Sequence, residues 1–158
     1  MTVPHRTIPS LSVTLFLFAA SFVSNSSAQV TAPDEFLGFE VGADFHLITY
    51  EQAADYIELL QSQSPRLRVF DAGTTSYGRR QKYAVISSEE NLANLDHHKE
   101  VSRRLSLARG VSEPEARRMA DEGVAVVWID GGLHASEVVG SNMQVQLAYD
   151  VVTGEDMT

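Results

Sequence analysis

The apolar positions fall into blocks of different period, and each block predicts an element. Thr49 can cap a helix running to about Ser62, with Ala53, Tyr56, Ile57 and Leu60 on one side. Pro65 closes that segment. Leu67 to Gly73 then reads as a strand, Thr74 to Gly78 as turn material, and Gln81 to Ser87 as a second strand. The short link makes the two strands antiparallel neighbours. Glu89 to Arg109 is periodic and strongly charged, so it predicts one long helix stopped by Gly110. Ser112-Glu113-Pro114-Glu115 has the spacing of a capping box, opening a helix that Gly123 ends. Val124 to Asp130 is apolar on both alternating faces until its final residue, which predicts a strand buried between layers. Gly131-Gly132 breaks it. A last helix starts near Ser136 or Glu137, with Val139, Met143, Leu147 and Val151 as its stripe and Ala148 and Val152 widening it. The pattern predicts an α/β fold: a mixed β-sheet with helices on both faces.

Composition narrows the function. The chain has 158 residues, 44% hydrophobic and 21% charged, a globular balance of one-domain size. A formal net charge of −9 argues against a nucleic-acid partner. Absence of cysteine excludes a disulfide framework, a thiolate metal site and a cysteine nucleophile. No Asp or Glu occurs from Met1 to Ala28. His5 and Arg6 precede an apolar run from Leu11 to Ala20, and Ser26-Ser27-Ala28 follows. That is the layout of a secretory signal peptide cut near Ala28, so residues 1–28 are expected to leave on export to the periplasm or medium, with no membrane association afterwards. Residues 29–44 then form an irregular arm, and 45–158 the folded part.

The candidate chemistry lies at the end of the apolar strand. His134 and Glu137 are three residues apart at a strand-to-helix turn, where open α/β sheets place their ligands. Imidazole and carboxylate are ordinary zinc ligands, and a cap or loop role is the competing reading. The spacing recurs at His97 and Glu100, beside Lys99, Arg103 and Arg104, where a solvated helix face is expected. Trp128 is expected in the core and Asp130 at a plain strand end. A catalytic zinc needs three protein ligands, so one pair is not a whole site.

The segment Trp128-Ile129-Asp130-Gly131-Gly132-Leu133-His134-Ala135-Ser136-Glu137 resembles the first zinc motif of the zinc carboxypeptidases. Val69 to Arg80 followed by Tyr83 to Ser87 resembles that family's first β-hairpin, and Thr49-Tyr50-Glu51 fits its opening segment. The pieces stand in the family's order and span most of Asp44 to Val152.

The resemblance implies a secreted metallocarboxypeptidase that uses Zn2+ to hydrolyse peptide or protein substrates, with His134 and Glu137 as metal ligands. It also implies a second zinc His and a general-base Glu farther along. Val138 to Thr158 contains no His and no Arg, and Glu155 is too close in sequence to be that base. The chain therefore reads as the N-terminal part of a catalytic domain, inactive as given, with the base expected downstream of Thr158. His46, His97 and His98 lie upstream and do not match the second His. Ser136 stands where many family members have Arg, so the positive charge that polarises the scissile carbonyl is missing. Arg79 is a candidate substrate contact, with a structural hairpin arginine as the plainer reading. Two alternatives share the pattern: a zinc-dependent amidohydrolase of the deacylase type, and a pseudo-peptidase that binds without turnover.

Overall fold

A computed structural model describes residues 29–134 and 136–154. The expected export segment, residues 1–28, lies outside them. The first element is a short helix, α1 (Pro33–Leu37), inside the arm that was expected to be irregular. Next comes α2 (Tyr50–Gln63), opened by a reciprocal cap. The amide of Gln52 donates to Thr49 Oγ1 at 3.2 Å, and the amide of Thr49 donates to Gln52 Oε1 at 2.9 Å. Two of the amides that a helix start leaves free are thereby satisfied.

The strands β1 (Leu67–Thr74) and β2 (Arg80–Ile86) form an antiparallel hairpin with Leu67 opposite Ile86 and Val69 opposite Ala84. A bulge between Asp71 and Gly73 precedes the turn, which Gly78 completes at φ 75°. One face of the hairpin carries Leu67, Val69 and Ile86 into the core with Tyr56 and Leu60. Phe70 and Tyr83 stack on the other face at 5.2 Å between centroids. The β1 edge is partly closed, because the Val69 amide donates to Gln61 Oε1 at 2.6 Å. This is an α/β fold, and its sheet among the described residues is two-stranded.

The segment expected as one helix from Glu89 to Arg109 divides into α3 (Glu89–Ala93) and α4 (Leu95–Leu107). Asn94, at φ −100° and ψ 17°, leaves helical geometry and turns its side-chain amide onto Glu90 O at 3.1 Å. Such local competition with the backbone ladder is what Asn does in a helix. The stop comes at Ala108, which adopts the left-handed conformation at φ 51°, two residues before Gly110. Lys99 of α4 places its ammonium 5.1 Å from the Phe70 ring centroid, on the hairpin face away from the core. In α5 (Glu113–Glu122), Ser112 is the N-cap residue but its side chain makes no capping hydrogen bond. The expected box is left incomplete on the Ser112 side, while Glu115 binds Arg104 Nη2 at 2.5 Å. That hydrogen bond holds the Glu115 carboxyl below its ordinary pKa.

Two expectations fail between α5 and the end of α6 (Val138–Thr153). Val124 to Asp130 is irregular and exposed where a buried strand was expected. Val126, Val127 and Trp128 are 77%, 78% and 75% accessible, so Trp128 is not a core residue. A strand exists through its ladder, and among the described residues no strand lies beside this one. The stripe of α6 is also rotated. Val145, Ala148 and Val152 are buried, whereas Val139 and Met143 are 69% and 58% exposed. The helix is apolar on more than one side, and α2 and the hairpin cover only the first of them.

Candidate metal centre

The turn between Asp130 and α6 is set by backbone contacts. Gly131 and Gly132 lie directly on the first turn of α6, with no room for a Cβ between Gly131 and the carbonyl of Gly140. Gly132 also needs its left-handed φ of 80°. The chain then curls so that the Glu137 amide donates to His134 O at 3.0 Å. Glu137 becomes the N-cap of α6.

That curl brings the imidazole and carboxylate together. His134 Nδ1 and Glu137 Oε1 are 2.8 Å apart, and the His134 backbone amide donates to Oε2 at 3.1 Å. The hydrogen bond from His134, aided by the backbone amide, holds the Glu137 carboxyl below its ordinary range. Glu137 is therefore an acceptor, and Nδ1 must carry the proton between them. In the neutral ring, Nε2 then bears the lone pair. The helix N-terminus adds a favourable field for the carboxylate. Both side chains are open to solvent, 70% and 51% accessible. One imidazole and one carboxylate fit zinc in donor type. Among the described residues, no group of three such donors occurs. The pair is also closed on itself, so Glu137 must release His134 before both can share a metal.

The structure does not gather the other candidates here. Asp130 accepts from Trp128 Nε1 at 2.9 Å, an exposed local contact in an irregular segment and not at the strand end expected of it. Arg79, at the hairpin turn, faces Glu51 of α2 at 3.7 Å, with both side chains exposed. His46 Nδ1 contacts Asp44 O at 2.9 Å, and its ring packs against Phe39. Glu100 is gripped by two Arg103 nitrogens at 2.7 Å, so the His97–Glu100 spacing is an ion-pair ladder on α4. His97 is exposed as expected. His98 departs from the solvated-face expectation: both its ring nitrogens are buried without a hydrogen-bond partner among the described residues.

Sequence reasoning missed Asn142 and Gly140. Asn142 Oδ1 accepts the Ile48 amide at 2.8 Å, tying the start of α6 to the segment before α2. Gly140 is a glycine inside a helical pattern, the one signal that pointed to a close backbone approach.

The zinc carboxypeptidase family profile matches residues 53–158, a span that includes α2 from Ala53 onward, the hairpin and the His134–Glu137 turn. The chain belongs to the zinc carboxypeptidase family, whose members are metallocarboxypeptidase-type hydrolases that use zinc and act on peptides. No curated protein and no solved structure matches it. No helix among the described residues is long and apolar enough to cross a membrane.

Proposed function

We propose that this is an exported zinc metallocarboxypeptidase domain in which His134 and Glu137 hold the metal. The observation that carries the reading is their convergence: an exposed imidazole and an ionised carboxylate, 2.8 Å apart, on a turn inside the family-matched span. Zinc, when bound, lowers the pKa of a coordinated water and polarises a carbonyl. The residues of this chain supply the cradle. Glu137 offers a carboxylate kept ionised at the α6 N-terminus, and His134 stands beside it on the same turn, both to be freed from their mutual hydrogen bond when they hold the metal. Neither is left to move the reaction's proton, so the reading requires a general base and a third ligand outside the described residues. Ser136 brings no positive charge to the carbonyl, which points away from the specificity of members with Arg there. Export follows from the pattern of residues 1–28, with Gln29 as the expected mature start.

Two ligands leave a metal coordinated mostly by water. The chain should therefore bind zinc weakly and show no peptide turnover by itself. Zinc titration of residues 29–158, repeated with His134→Ala and with His97→Ala, tests the assignment. Loss of binding in the first variant and retention in the second is the expected result. Equal losses would remove the reason for choosing His134 and Glu137 over the second spacing match.

A further inference from the structure

Which contacts fix the distance between His134 and Glu137? Their own hydrogen bonds close the turn but do not attach it to anything. The attachment is made of glycine. A Cβ built on Gly131 would overlap the carbonyl oxygen of Gly140, with the carbonyl carbon at 2.7 Å and Gln144 Nε2 at 2.8 Å. One built on Gly132 would overlap Ser141 Oγ and stand 3.5 Å from the carbonyl oxygen of Glu137. One on Gly140 would stand 3.2 Å from the amide nitrogen of Gly132. Gly131 and Gly140 thus let two backbones touch, Gly132 makes room for the Ser141 side chain, and the touching segments lie on either side of the two proposed ligands. By contrast, Val124 to Ile129, which leads into the turn, is irregular and exposed and offers little support from that side.

We propose that Gly131, Gly132 and Gly140 are positioning residues for the metal pair. The glycine contact clamps the His134 loop to the first turn of α6, and so sets the His134–Glu137 separation that a metal meets. This rests on the zinc reading above and adds what determines the affinity. Residues that orient metal ligands without touching the metal typically change affinity by about 10–100-fold when altered. The mechanism differs from ordinary destabilisation in one respect. Alanine is the better helix former at Gly140, so Gly140→Ala should support α6 while spoiling the contact.

The test follows the His134 imidazole resonance by NMR during zinc titration of the full chain, in the wild type, Gly131→Ala and Gly140→Ala. Circular dichroism and a thermal melt accompany each variant. Gly131→Ala should weaken zinc binding by about tenfold or more. Gly140→Ala should weaken it by less, with helix content and melting temperature equal to or above the wild type. Gly140→Ala keeps the test decisive if Gly131→Ala fails to fold. A folded Gly140→Ala variant with wild-type zinc affinity would overturn the proposal. A wild-type His134 resonance that ignores zinc would overturn the zinc reading itself, a result distinguishable from the first because it appears before any substitution.

Discussion

Two apolar parts of this chain end in opposite environments. Tyr56, Leu60 and Leu67 are almost entirely buried, together with Val145 and Val152 of α6. Val126, Val127 and Trp128 are as apolar and remain more than 70% accessible. The difference lies in partners. The first group has α2, the hairpin and the second half of α6 within one cluster, and each element covers another. The second group leads into Gly131 and Gly132, which touch the first turn of α6, and has no neighbouring strand among the described residues. Hydrophobic pattern states what a segment can bury; a matching surface decides whether it does. The proposed metal pair belongs to the second, open region, attached through α6 to the first.

The largest expected effect lies in the packed region. Leu60→Ala should cost about 2–5 kcal/mol in a denaturant melt, since the side chain is fully enclosed and its neighbours span three elements. A cost below 1 kcal/mol would mean that this cluster is no tighter than the open region. Next comes the link between the two. Asn142→Ala removes the acceptor for the Ile48 amide and should cost about 1–2 kcal/mol. Asn142→Asp, which keeps that oxygen, should recover part of the loss in the same melt.

In the open region a much larger side chain should matter less. Trp128→Ser should change stability by no more than about 0.5 kcal/mol. It should also reduce binding of a dye that reports exposed apolar surface. A Trp128→Ser variant that unfolds would show that this segment is packed in solution.

The smallest effect is electrostatic and depends on pH. Arg104 lowers the Glu115 carboxyl from its ordinary 4.5. A carboxyl depressed on folding contributes stability that is present above its unfolded value and lost as pH falls through the folded one. Both side chains are partly exposed, so the contribution is modest. Glu115→Gln should therefore melt slightly below the wild type at pH 7. The two melting curves should converge as pH drops below 4. A gap that stays constant from pH 7 to pH 3 would assign the effect to packing.

What was legible in the sequence follows the same division. Thr49, Tyr56, Leu60 and the hairpin bounds were readable because capping, helical period and strand alternation act over a few residues. The break at Asn94 was hidden, since Asn is tolerated in a charged helix and only its side-chain geometry ends one. The capping box at Ser112 stayed incomplete because the Ser112 side chain makes no capping bond, and the tie from Glu115 to Arg104, eleven residues away along the chain, was not readable from local spacing. The strand at Val124 and the face of α6 were misread for a shared reason. Period and apolarity say that a surface needs a partner, while the burying surface comes from elsewhere in space. At the candidate site, the donor types and the turn were legible from Gly131 to Glu137. The closed hydrogen bonds between His134 and Glu137, and the contact with Gly140, depend on backbone path and were not.

Residue-resolved hydrogen exchange tests the division between the two regions most directly. The account predicts slow exchange for the amides of Tyr56 and Leu60 in α2 and of Phe70 in the β1–β2 ladder, approaching the rate set by global unfolding. It predicts exchange near the unprotected rate for Val126, Val127 and Trp128 in the same sample. Protection at those three equal to that in α2 and β1 would contradict the account. It would place the segment leading to His134 inside a closed core.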